Sequence, residues 1–219
     1  MEEYKIEEII LDLGSQTYTL FQITNIDEVF DAMLSLPADN VIKHDERIPY
    51  WTEIWPSAIA LSRFIGDHPD LIQDKKTLEL GAGLGLPSLV AARFTKQLVC
   101  SDYLEDALVF AEKNALRNGI HHIQYACIDW RNLNNGAKYD VILASDIAYE
   151  RRFFEDLPGA FKRLMHEKSV VLLSEPGRHF TAAFIEELSN HFDIKSYPLP
   201  QTWRGTHFST SVHVLTVQT

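Results

Sequence analysis

The sequence predicts an open, doubly wound α/β sheet, and three patterns carry that expectation. From about residue 76 onward, short and nearly continuous apolar runs alternate with amphipathic helical stretches. A tight cluster of alternating glycines follows the first of those runs. The final two apolar runs have only a loop between them, which requires an antiparallel pair at one edge of the sheet.

Taken in order, the first 25 residues alternate apolar and polar around Asp12-Leu13-Gly14-Ser15, the pattern of a β-hairpin. A helix is expected near Asp27–Leu36, and another from Pro56, which suits a first helical turn, to Gly66. The core runs are Thr77–Leu80, Leu98–Cys100, Ile123–Ala126, Val141–Ala144 and Val170–Leu173. Unbroken apolar composition is what parallel strands covered on both faces need. Leu104, Leu108, Ala111 and Ala115 share one helical face, and Asn118-Gly119 supplies a left-handed stop. In Arg151–Met165 the positions Phe153, Leu157, Phe161 and Leu164 fit a helix, which Pro158-Gly159 is expected to break in two. Phe180, Phe184 and Leu188 form a later face, after Pro176-Gly177. Phe192–Tyr197 and Ser211–Val217 make the terminal antiparallel pair, which completes a mostly parallel, seven-stranded sheet. One domain is expected, with a hairpin and helix extension over residues 1–48 and the sheet core over 49–219.

Composition narrows the function classes. The 219 residues are 46% hydrophobic and 23% charged, an ordinary globular balance. A net charge of −11 argues against nucleic acid and anionic membrane as partners, since a polyanion needs a basic face. Neither a signal-peptide start nor an apolar run long enough for a membrane span is present, so a cytoplasmic protein is expected. The two cysteines, Cys100 and Cys127, read as buried, reduced thiols. The nine histidines show no metal-ligand spacing, so no metal is expected.

The most informative stretch is Leu78-Glu79-Leu80-Gly81-Ala82-Gly83-Leu84-Gly85-Leu86-Pro87-Ser88. A strand ends, glycines make a tight turn through which a ligand can approach the backbone, and Pro87 opens a helix with unpaired amides. Asp102 follows the second core run, where a carboxylate can accept both hydroxyls of a ribose. Asp129, trailed by Trp130, follows the third run. Acids at successive strand ends on one edge describe a nucleoside site; the competing reading is that each caps a following helix. A nicotinamide dinucleotide fits poorly, because the spacing is not G-x-G-x-x-G and Glu79 would set negative charge beside a pyrophosphate. S-adenosylmethionine, with a sulfonium, an amine and no phosphate, suits that glutamate better.

The fourth run ends in Ala144-Ser145-Asp146-Ile147-Ala148-Tyr149. A carboxylate and an aromatic ring beside a cofactor crevice suit a cationic amine acceptor; alternatively, Asp146 caps a helix beginning near Glu150. Glu175-Pro176-Gly177 lines the acceptor entrance or is an ordinary strand-to-helix turn. The loop Pro198–His207, with Trp203 and Arg204, contacts substrate or is simply a long hairpin.

On these residues the chain resembles the class I, Rossmann-like S-adenosylmethionine-dependent methyltransferases. Pro49-Tyr50-Trp51-Thr52-Glu53-Ile54-Trp55-Pro56-Ser57 before the glycine turn, with Asp129-Trp130 and Asp146-Ile147-Ala148-Tyr149 after it, is similar to methyltransferase family 16 over roughly residues 45–150. That family includes the seven-β-strand protein-lysine methyltransferases and a histidine-modifying relative. The resemblance implies that Gly81, Ala82, Gly83 and Gly85 lie against the methionine moiety, with Glu79 setting the local charge. Asp102 would bind the ribose and Tyr103 would sit against the adenine. Asp129 would reach the adenine amino group and Trp130 would flank the ring. Trp55 and Trp51 would cover the cofactor, unless they are simple core packing, and Ser145 joins the cofactor set. Asp146 and Tyr149 would receive the acceptor. The implied activity is N-methylation of a protein side-chain amine; a small-molecule amine and a catalytically silent, cofactor-binding interaction domain are the alternatives.

Overall fold

The computed structural model describes residues 4–14, 16–35, 37, 49–133 and 136–218. Ser15 of the expected hairpin turn, Leu36 at the end of the first expected helix, and residues 38–48 of the extension lie outside the described residues.

Strands β1 (Ile6–Asp12) and β2 (Thr17–Ile23) pair antiparallel as a separate hairpin. Helix α1 (Ile26–Leu34) follows it, and α2 (Pro56–Asp67) opens on the proline, whose missing N–H costs nothing at a first turn. Then come β3 (Lys76–Leu80), α3 (Leu86–Ala91), β4 (Gln97–Asp102), α4 (Glu105–Arg117), β5 (Ile123–Cys127) and β6 (Tyr139–Ser145). The remainder is α5 (Asp156–Leu164), β7 (Met165–Glu175), α6 (Thr181–Ser189), β8 (Phe192–Pro198), a small hairpin of β9 (Gln201–Trp203) and β10 (Thr206–Phe208), and β11 (Ser211–Val217).

The main sheet has seven strands in the order β5-β4-β3-β6-β7-β11-β8. The first five are parallel to one another, and β11 runs antiparallel between β7 and β8. The expected terminal pair is therefore present, with the later strand on the inside.

Alternation along β6 shows why its apolar run is unbroken. Val141 and Leu143 enter a core that also holds α2, α3, α4 and the β1–β2 hairpin. Ile142 and Ala144 enter a second core with α5 and α6 on the opposite face. All four are fully buried, and each of the larger side chains contributes about 1.5–3 kcal/mol by leaving water.

Two local expectations are corrected. Pro158-Gly159 does not break its helix: Pro158 is the third residue of α5, where the backbone N–H has no intrahelical acceptor to lose. The interruption falls earlier, between a 3-10 turn at Arg151–Phe153 and the start of α5. Cys100 is buried as expected, but Cys127, at the end of β5, is exposed. Among the described residues, no helix is long and apolar enough to cross a membrane.

Candidate active site

In the parallel part of the sheet, connections run outward in both directions from the β3/β6 neighbours. Ligands of such sheets bind at that divide, outside the carboxyl ends of the strands. A cavity of about 300 Å³ lies there, and chain elements from both sides of the divide line it.

The β3 side is built from the glycine turn. Gly81 and Gly85 adopt left-handed backbone, with φ of +63° and +80°. A Cβ added to Gly81 would stand 2.7 Å from Ile147 Cγ2, and one on Gly85 would stand 3.0 Å from Ala111 Cβ. Their lack of a side chain thus lets the loop pack under its neighbours, a reason distinct from the ligand approach read in the sequence. The loop is clipped to β4: Ala82 N donates to Ser101 O at 2.9 Å, and Gly83 N donates to Asp102 Oδ2 at 3.0 Å. Asp102 Oδ1 accepts from Leu104 N at 3.0 Å. Burial pushes the Asp102 carboxyl up to about 6, against the pull of those backbone donors.

Trp51, Trp55, Ala82 and Gly83 line the cavity with Gly81 and Gly85; Asp102, Tyr103 and Trp130 form a second wall. Ser145, Asp146 and Tyr149 arrive from the end of β6. Two expected residues stand elsewhere. Glu79 is fully buried behind the turn, where Oε2 accepts from Ser88 N at 2.9 Å, so it serves the start of α3 instead of the cavity. Burial raises its carboxyl to about 8. Asp129 lies beside an adjoining recess, its carboxylate taken up by Arg131 through the backbone N (3.0 Å), Nε (2.8 Å) and Nη2 (2.7 Å). It caps the 3-10 turn Trp130–Asn132, the competing reading of that acid, and its carboxylate is engaged by Arg131 beside the cavity.

On the β6 side, Asp146 is the first residue beyond the strand and has φ of +56°, a left-handed conformation that aspartate tolerates better than most. Its N–H still donates to Ser174 O on β7 at 2.9 Å, while the side chain leaves the sheet. The carboxylate is almost completely buried and pairs with Arg178: Nη1 donates to Oδ1, and Nη2 lies 3.4 Å from Oδ2. Ser57 Oγ lies 3.5 Å from Oδ2. Burial raises the Asp146 carboxyl, and the guanidinium opposes that rise. The capping alternative for Asp146 falls away, because the turn after Glu150 has no side-chain cap.

Tyr149 packs edge-on against Tyr50 and Phe153, with ring centroids 5.2 and 5.1 Å apart. Burial, with the neighbouring Tyr103, raises its phenol and keeps it protonated at neutral pH. Trp55 is held by its indole N–H, which donates to Tyr50 O at 2.8 Å.

Sequence reasoning missed Tyr50, Glu53, Ile147 and Arg178, all on the cavity wall. The signal for Arg178 was present: it follows Glu175-Pro176-Gly177 at the same strand edge that supplies Asp102 and Asp146. Glu175 itself fixes that turn, accepting from Gly177 N and, at 2.8 Å, from Thr181 Oγ1. His213 Nε2 on β11 lies 3.4 Å from Glu175 Oε1, and Ser196 Oγ is 2.8 Å from His213 Nδ1. Burial alone would raise Glu175, but these hydrogen bonds outweigh it and hold the carboxyl below the usual range. The loop after β8 holds the β9–β10 hairpin, and its Arg204 reaches the rim 3.7 Å from Glu53.

The sequence profile of the lysine methyltransferase family matches residues 39–191. The chain is 30% identical to the protein N-lysine methyltransferase METTL21A of Xenopus tropicalis over 146 residues, 64% of this chain and 68% of that protein. It is 29% identical to the histone-arginine methyltransferase METTL23 of Homo sapiens over 154 residues, 67% of this chain and 81% of that one. In fold it resembles the N-methyltransferase NodS of Bradyrhizobium japonicum in complex with S-adenosyl-L-homocysteine. That match has a TM-score of 0.59 at 13% identity and covers 89% of this chain and 99% of that one.

S-adenosylmethionine fits the cavity on its own terms. The volume suits a small-molecule ligand, and aromatic walls flank a buried carboxylate at the end of β4. Among the described residues, Arg178 is the one cationic side chain on the wall, and Asp146 already neutralises it. Among those residues a pyrophosphate would find no counter-charge, whereas an uncharged ribose and adenine need none.

Proposed function

The chain belongs to the lysine methyltransferase family and uses S-adenosylmethionine, and from that premise we propose that its acceptor is a lysine amine of a protein. The observation that carries this reading is Asp146, a carboxylate turned out of the sheet into the cavity that the glycine turn and Asp102 also line. Asp102 would hold the ribose, Tyr103 and Trp130 would flank the adenine, and Trp51 and Trp55 would close the cofactor from the N-terminal side. When bound, the cofactor supplies a methyl group on a sulfonium, open to direct displacement by a nucleophile.

The protein's task is then alignment and charge control. A lysine amine has a reference pKa of about 10.4, so it must shed a proton before it can attack. The Asp146 carboxylate would receive the amine as a cation, and the neutral Tyr149 phenol and Trp55 ring would confine it beside the methyl. The proton leaves before attack, either to the carboxylate or to water at the cavity mouth. The likeness to METTL21A supports a protein acceptor.

A second reading has its own observation. Asp146 binds a guanidinium in this structure, and METTL23, a histone-arginine methyltransferase, is among the relatives. Arginine is therefore the alternative acceptor. Incubating the purified chain with methyl-labelled S-adenosylmethionine and a cell lysate separated by size tests both. Label in protein, recovered as methyllysine after hydrolysis, is the expected result. Methylarginine selects the second reading, label only in small molecules overturns the protein acceptor, and no label despite cofactor binding overturns both.

A further inference from the structure

The acceptor side of the cavity already holds a cation. The Arg178 guanidinium lies against the Asp146 carboxylate, using both carboxylate oxygens, and its centre is 6.0 Å from the Trp55 ring. Acid on one side and aromatic face on the other is the arrangement a cationic amine would seek. We propose that Arg178 is an internal occupant of the acceptor position, a latch that an incoming ammonium displaces from Asp146. The inference rests on the proposed placement of the acceptor at Asp146.

The mobility this requires is confined to one side chain. The backbone around Arg178 is fixed: a Cβ on Gly177 would stand 2.8 Å from Ser209 O, and Glu175 accepts from both Gly177 N and Thr181 Oγ1. His213 anchors Glu175 from β11. The Arg178 side chain, by contrast, is 27% exposed, and Asp146 is its hydrogen-bond partner among the described residues. Rotation about its side-chain bonds would carry the guanidinium toward solvent without disturbing the turn. Asp146 cannot do likewise, because it is nearly sealed from water and its own N–H is tied to Ser174 O.

A latch of this kind has two consequences. It keeps the buried carboxylate paired while no acceptor is present, so the empty site does not hold an isolated charge. It also makes acceptor binding an exchange, so an acceptor must offer a cation able to compete with a tethered guanidinium. Neutral molecules of similar shape gain nothing from Asp146 while Arg178 remains.

The test uses the full chain loaded with S-adenosylhomocysteine and titrated calorimetrically with n-butylammonium chloride at constant ionic strength. That cation reproduces the four-carbon stem and charged head of lysine. Arg178→Ala is expected to bind it at least about tenfold tighter than wild type, because the tethered competitor is gone. Arg178→Lys, which keeps a cation in place, is expected to stay near wild type. The double variant Arg178→Ala/Asp146→Asn is expected to lose the gain. A change of less than about threefold in Arg178→Ala, or a gain that survives loss of the Asp146 charge, overturns the latch. S-adenosylhomocysteine affinity and thermal melting confirm that each variant is folded; if Arg178→Ala fails that control, Arg178→Gln takes its place with the same expectation. Methyl transfer by the wild type into lysate protein is scored separately. A failed latch with successful transfer leaves the proposed function standing, and failed transfer with a successful exchange does the reverse.

Discussion

The two halves of the cavity are built by different means. On the β3–β4 side, the polar groups answer to nearby backbone: Asp102 accepts from Gly83 and Leu104, and Ala82 reaches Ser101. On the β6–β7 side, the central carboxylate is held by a side chain 32 residues away, on a turn secured in turn by His213 from β11. The first half is preorganised by local geometry, so little changes when a ligand arrives. The second is held by an exchangeable ion pair, which suits a site whose occupant comes and goes.

Substitutions at the two acids give the widest separation between the halves. Asp146→Asn is expected to lower methyl transfer by about 100-fold or more while leaving cofactor affinity within about threefold, as labelled transfer and calorimetry would register. Comparable losses in both quantities would merge the halves into one. Asp102→Ala is expected to act the other way, weakening the cofactor by roughly 10- to 100-fold through loss of charged hydrogen bonds. Unchanged affinity would remove Asp102 from the ribose position.

Acidity sharpens the contrast more gently. Ribose hydroxyls donate best to an ionised carboxylate, and Asp102 titrates near 6, so cofactor affinity is expected to fall about tenfold between pH 7.5 and 5. Stability moves in the opposite sense. Asp102 and Glu79 both bind protons more tightly folded than unfolded, so their contribution is complete below about pH 4. It is lost as pH rises through about 6 and then about 8. The melting temperature should therefore drift downward from pH 5 to 8, and Glu79→Gln should flatten that drift; an unaltered slope would mean that Glu79 is not the titrating group.

A smaller effect is expected from Gly81→Ala, which strains a left-handed residue and crowds Ile147 Cγ2, for a loss of about 1–3 kcal/mol in denaturant unfolding. Gly14→Ala makes the control, since its φ of +88° is strained but the space beside it is open, and about 1 kcal/mol is expected there. Equal losses at both positions would show that packing under the glycine turn matters little.

The same division explains what could be read from the sequence. The inner parallel strands were visible because they are buried on both faces, which leaves unbroken runs such as Val141–Ala144, whereas β5 at the sheet edge is only partly buried. The glycine turn and Asp102 were visible because a local motif makes that half. Asp146 and Tyr149 could be named from their position after a strand, but not their surroundings. Arg178 pairs with Asp146 only because β6 and β7 are sheet neighbours, a long-range fact that no local spacing records. That Glu79 and Asp129 stand off the main cavity was hidden for a related reason. An acid beside a strand end looks alike whether it faces a cavity, a helix start as at Ser88, or its own neighbour as at Arg131. The order β7-β11-β8 was likewise hidden, since two successive strands fit an edge in either sequence.

That strand order bears on how the molecule is made. As the chain leaves the ribosome, β3 to β7 can pair while β11 is still unsynthesised, and β7 then presents a bare edge. β8 emerges before the strand it needs and has no place to dock until β11 slots in beside it. His213 rides on β11, so the support for the Arg178 turn arrives in the same late step. A nascent chain would thus complete the β3–β4 half of its cavity first and gain the support of the Arg178 turn only once β11 has been made.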